Sequence, residues 1–273
     1  VLGATFSPGP GQAVRNVSTP SQDAGNTNNT GELMTETKLD LIAKLLAKAE
    51  STTPEEAEAL TEHAERLMVK YGIEQARIDE RRERSGQAGE EIVHEQIVFT
   101  GVYSRDIREL GTRVALALDT VRPLHADSGA GSVLYLVGFA SDAQQVRILT
   151  ASLEVQAMVA MRAWWAAQRD LYRWDTEGDK RRARSGFIRG FAAGAAERIS
   201  HSRREIVEAS GSGTDLVLSS RRDRVDAAVA QISTRRARRR QGADGGAFVQ
   251  GHRSGSEART GGRAMTPGRG VTG

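Results

Sequence analysis

The sequence predicts an α+β protein: an N-terminal helical hairpin followed by a helix-dominated domain with a small antiparallel sheet. Three observations carry this. Residues 37–73 hold two amphipathic helical patterns separated by a strong cap signal. Two short apolar runs flank the turn-rich connector DSGAG (Asp127 to Gly131), the pattern of an antiparallel β-hairpin. Most of the remaining chain to Ile232 repeats its apolar residues with the 3.6-residue period of a helix.

In the first helix Leu39, Ile42, Leu46 and Ala49 fall on one stripe, widened by Leu41 and Leu45. Thr53, Pro54 and Glu56 then supply an N-cap, a first-turn proline and a capping-box carboxylate. The second helix aligns Ala57, Leu60, Ala64, Leu67, Met68 and Tyr71, with Gly72 suited to the left-handed C′ position. Helices this short do not bury their stripes alone, so the hairpin must dock on something, either the rest of the chain or a protein partner.

The segments K-x-x-x-I-x-K-L-L-x-x-A-E-S-T (Lys38 to Thr52), E-A-x-A-L (Glu56 to Leu60) and A-E-R-L-M-x-K-Y-G-I (Ala64 to Ile73) resemble the N-terminal module of domain-of-unknown-function family 2786. Weaker similarity continues through Val133 to Met161 and Gly246 to Ala258. The resemblance implies a fold and an actinobacterial, phage or mobile-element setting. It implies no established reaction and assigns no catalytic residue.

Beyond the hairpin, residues 74–91 form a charged linker whose first part can extend the second helix. Ile92 to Phe99 read as a strand, and Ser104 as the cap of a helix bearing Ile107, Leu110, Val114 and Leu118. Val121 to Ala126 and Val133 to Val137 form the hairpin around DSGAG. Ser141 caps a long helix to about Arg169 whose stripe runs from Val146 to Trp165. A helix from about Lys180 to Glu208 follows, then a short strand at Leu216 to Leu218. Val225, Val229 and Ile232 mark a helix running into an arginine cluster, and a short helix is expected around Phe248. The expected organisation is a disordered leader over 1–33, with translation expected from Met34, the hairpin module at 34–75, the α+β domain at 90–240 and a largely disordered Gly/Arg-rich tail at 241–273.

Composition narrows the function. There is no cysteine, which removes disulfides, thiolate nucleophiles and Cys-type zinc sites. No run approaches the ~18 apolar residues of a membrane span, and the leader lacks the pattern of a secretory signal. A cytoplasmic location without a membrane partner is the expectation. The net charge of +3 hides an asymmetry: 20 basic and 8 acidic residues from Lys180 onward, against 18 and 27 before it. Such polarity points to an anionic partner for the C-terminal third. Coding bias explains the preference for Arg over the five Lys, but not the clustering.

The candidate nucleic-acid-binding residues are Arg235, Arg236, Arg238, Arg239 and Arg240 in the run RRARRR, with Arg221, Arg222 and Arg224 on the preceding helix. Guanidinium groups grip phosphates bidentately, and displaced counterions drive binding to DNA or RNA without base readout. The competing reading is a solvated helix end complementing the macrodipole. Trp164, Trp165, Tyr172 and Trp174 offer a stacking platform for bases, or, more simply, a closed core edge. The five histidines show no metal-ligand spacing, and no cofactor motif or metal site is expected. Gly186, Gly190 and Gly194 repeat every four residues, and Gly251 and Gly255 echo them, which points to two closely packed helices. Whether the chain is an enzyme stays open: an enzyme with a site assembled in the α+β domain and a protein-interaction module are the rivals to nucleic-acid binding.

Overall fold

A computed structural model describes residues 4–6, 29–50, 52, 54–128, 131–236 and 244–258. In chain order the elements are β1 (Ala4–Phe6), α1 (Asn29–Glu50), α2 (Pro54–Arg84), β2 (Ile92–Phe99), α3 (Ser104–Leu118), β3 (Arg122–Ser128), β4 (Gly131–Phe139), α4 (Ala140–Gln168), α5 (Glu177–Ala209), α6 (Thr214–Ala230), β5 (Thr234–Arg236) and α7 (Gly245–Ser256). The predicted class holds: helices dominate, and the sheet is built on three antiparallel strands.

In that sheet β4 is central, pairing with β2 from Ile92↔Phe139 to Phe99↔Ser132 and with β3 from Arg122↔Val137 to Ser128↔Gly131. Two three-residue strands extend it: β1 lies parallel to β3 and β5 antiparallel to β1. Edge strand β2 alternates, with His94, Gln96 and Val98 outward, whereas Val133, Leu134, Leu136, Val137 and Phe139 of β4 are all buried. Helix α3 lies on the sheet through Ile107, Leu110, Val114 and Leu118, and α4 adds Val146, Leu149, Leu153, Ala157 and Met161. Trp164 closes this core by stacking on Phe187 of α5 at 4.9 Å, and Trp165 packs on Tyr172 at 5.3 Å. Trp174 is 86% exposed, so the aromatics do not form one platform.

The hairpin docks on its own chain. Ile42, Leu46, Ala64, Met68 and Tyr71 are buried, and the first four belong to the same core as the sheet and the central helices. Its apolar stripe is thus covered from within. Helix α2 does not stop at Gly72 but runs on to Arg84. Burial of Ile73 and Ala76 offsets the glycine's ~1 kcal/mol helical cost.

The paired glycines are explained by the α5–α7 contact. A Cβ at Gly190 or Gly194 would run into the carbonyl oxygens of Phe248 or His252, and one at Gly251 or Gly255 into those of Phe187 or Phe191. Both backbones therefore meet with nothing between them. Within the segment 241–273, expected to be mostly disordered, residues 245–256 form this docked helix, capped by the Asp244 side chain on Ala247 N–H at 2.8 Å. The expected disorder of 1–33 lies mostly outside the described residues; the described parts are β1 and the start of α1.

Three local expectations need correction. Leu216 to Leu218 are not a strand but part of α6, because the helical period Thr214, Leu218, Arg221, Val225 overrides a three-residue apolar run, and Leu216 is left 72% exposed. Ser104 and Ser141 lie inside the first turns of α3 and α4, whose N-caps are Tyr103 and Phe139. The arginine run does not continue α6: the helix ends at Ala230, and Thr234–Arg236 are extended in β5.

Candidate functional site

Helix α6 divides the predicted arginines into two groups. Gly211 and Gly213, at φ 86 and 88, turn the chain into the helix. Thr214, Arg221 and Val225 then share its buried face, at 1%, 7% and 0% exposure. Arg221 thus points into the protein, four residues before an apolar core position.

Its guanidinium is enclosed by groups from three other parts of the chain. Nε donates to Asp142 Oδ2 at 3.0 Å and Nη2 to Glu90 Oε2 at 2.7 Å, while Nη1 is paired with Asp79. Ser141 ties the far side together: its N–H donates to Glu90 Oε1 at 2.5 Å and its hydroxyl to Glu90 Oε2 at 3.0 Å. The guanidinium lies over the Phe139 ring, 3.6 Å from the centroid. One cation therefore joins α2, the segment before β2, the β4–α4 junction and α6.

Three carboxylates against one guanidinium leave this cluster rich in negative charge. Burial pushes the Asp142 carboxyl up to about 6, with the Glu90 charge adding to burial and Arg221 opposing it. Burial also raises Asp79, again against the pull of Arg221. Burial disfavours the charge on Arg221, but the Asp142 and Glu90 carboxylates outweigh it and hold its proton more tightly than usual.

The neighbouring arginines are likewise engaged. Arg222 reaches Asp119 Oδ2 at 3.2 Å, and Arg224 pairs with Glu83 while lying over Phe139 at 4.8 Å. Asp119 caps α3 in the left-handed conformation, at φ 52, and also holds Arg122 at 3.3 Å. Arg122 in turn reaches Asp226 of α6 at 2.6 Å. Arg221, Arg222 and Arg224 thus pair α6 with carboxylates of the acidic first part of the chain, so these three arginines are satisfied internally.

Of the other predicted arginines, the backbones of Arg235 and Arg236 lie in β5, opposite Thr5 and Ala4 of β1. Arg238, Arg239 and Arg240 fall outside the described residues. Sequence reasoning missed Asp79, Glu90 and Asp142 as partners, because they are remote in the chain from Arg221. A usable signal did exist in the spacing from Arg221 to Val225, which places both on one helical face.

Among the described residues, no three His, Cys, Asp or Glu group together to hold a metal ion. None of their helices is long and apolar enough to cross a membrane. No curated protein and no solved structure matches the chain. Residues 37–75, which span most of the α1–α2 hairpin, match the family model described as a protein of unknown function, DUF2786, and over these residues the chain is DUF2786-like.

Proposed function

We propose that the protein binds DNA or RNA without sequence preference, in a phage or mobile-element setting, through Arg235, Arg236, Arg238, Arg239 and Arg240. One observation carries this reading. The arginines of α6 are matched by carboxylates, whereas the run after it lies in a stretch with no acidic residue between Asp226 and Asp244. Five guanidinium groups in six positions, without interleaved acids, make a dense cationic segment suited to a phosphate backbone. The run begins in an edge strand rather than a recognition helix, which suits backbone contact and not groove reading. Arg221, Arg222 and Arg224 belong to the scaffold in this reading.

The test is binding of a labelled duplex and a labelled single strand at low salt, for the wild type and for a variant with all five arginines changed to Gln. The expected result is similar affinity for unrelated sequences and loss of binding in the variant, with thermal stability retained. Absence of binding by the wild type would sink the proposal.

A further inference from the structure

Beside the Arg221 cluster a cleft opens between α2, the end of α3, the start of α4, α5 and α6. It is distinct from the arginine run of the proposed function. Its walls are partly apolar, including Val207 of α5 and Leu218 of α6. Gln145, Arg203 and Arg222 are among its lining residues, and none of the three has all its donors partnered among the described residues. Gln145 is only 4% exposed, and its Nε2 has no hydrogen-bond partner among the described residues. The Nε of Arg222 is buried and equally unpartnered, although Nη1 of the same side chain holds Asp119. No hydrogen bond or ion pair to a described residue engages Arg203, whose guanidinium is held below the usual arginine range by burial, with Asp119 opposing and Arg222 reinforcing that shift.

This arrangement is costly unless something occupies it. A buried amide donor left unmade loses its bonds to water without return. Two arginines facing one cleft also repel, and both lose hydration. The carboxylates nearby are committed: Asp142 holds Arg221, and Asp119 is shared by Arg222 and Arg122. A small oxyanion would meet the amide of Gln145 and the two guanidinium groups together, while a short apolar body would lie against Val207 and Leu218. We infer that the cleft bounded by Gln145, Arg203 and Arg222 binds a small-molecule oxyanion with a short apolar body, either a carboxylate or a phosphate monoester.

The test is a titration of the full chain with butyrate, butyl phosphate and inorganic phosphate, following the Gln145 side-chain amide and the arginine Nε–H signals by NMR, with chloride as the ionic-strength control. Saturable shifts at Gln145 and Arg203 are expected with butyrate or butyl phosphate, and which of the two binds tighter separates a carboxylate source from a phosphate one. Loss of one charge-assisted bond in Arg203→Met should weaken binding by about 10- to 100-fold. Gln145→Leu removes the orphan donor, so it should fold at least as well as the wild type and still bind more weakly. The variant lacking the five arginines of the run should bind these anions unchanged, which keeps failure of the nucleic-acid reading separate from failure here. Shifts no larger than those from chloride, or full affinity in both Gln145→Leu and Arg203→Met, would overturn the assignment.

Discussion

Replacing Arg221 with Gln removes the cation that Asp79, Glu90 and Asp142 share, two of whose side chains are only 3% and 2% exposed. The guanidinium makes contacts to three carboxylates, each of the charge-assisted kind worth about 1.5–3 kcal/mol. Their simple sum overstates the loss, because freed carboxylates take up protons and water enters. Breaking a buried pair by removing one partner costs about 3–5 kcal/mol, and that is the destabilisation expected at pH 7. Urea denaturation followed by circular dichroism measures it, provided the m-value is unchanged. The loss should shrink towards pH 5, where protonation relieves repulsion among the stranded carboxylates. Arg221→Lys should restore little, since an ammonium does not span three carboxylates as the planar fork does. A loss below about 0.5 kcal/mol, in the range of an exposed ion pair, would refute the view that Arg221 fastens the fold.

Three further outcomes follow from the same packing. Asp142 has a folded-state pKa raised to about 6 from 3.8, so its ionisation opposes folding, a cost that appears as pH rises from about 4 to 6 and is absent below. Asp142→Asn should therefore gain on the wild type over that window, by up to about 3 kcal/mol, and a difference between the two that does not change with pH would contradict the assignment. Gly190→Ala and Gly255→Ala should each destabilise by about 1–3 kcal/mol despite better helix propensity, because the added methyl meets backbone of the facing helix; a stabilised variant in thermal melts would show that α5 and α7 do not touch. Leu46→Ala should cost about 2–5 kcal/mol in denaturant titrations, and a loss under about 0.5 kcal/mol would mean the hairpin is not seated on the core.

The periodic elements were legible because their signals are local. The stripe of α4, the β3–β4 hairpin and the spaced glycines of α5 and α7 each follow from residues within a few turns of one another. The extension of α2 past Gly72 was less legible, since it depends on what Ile73, Ala76 and Asp79 meet in the folded chain. The Arg221 cluster was hardest to read. Arg221 is separated from Asp79, Glu90 and Asp142 by 142, 131 and 79 positions, and nothing local to any carboxylate announces the others. Composition counted all C-terminal arginines alike, whereas burial sets Arg221 apart and ion pairs engage Arg222 and Arg224. Gln145 gave no sequence signal either, since an unpartnered amide is visible only once its surroundings are known.

The most direct test of this division of labour among the arginines is the salt dependence of duplex DNA binding. If the five arginines of the run each neutralise a phosphate, the wild type should show a log–log slope of about −4 to −5, from roughly −0.9 per phosphate. The slope should flatten towards zero when Arg235, Arg236, Arg238, Arg239 and Arg240 become Gln. It should stay unchanged in Arg222→Gln and Arg224→Gln, whose guanidinium groups serve Asp119 and Glu83. An unaltered slope in the five-arginine variant, or a slope that falls with the α6 substitutions instead, would contradict the account.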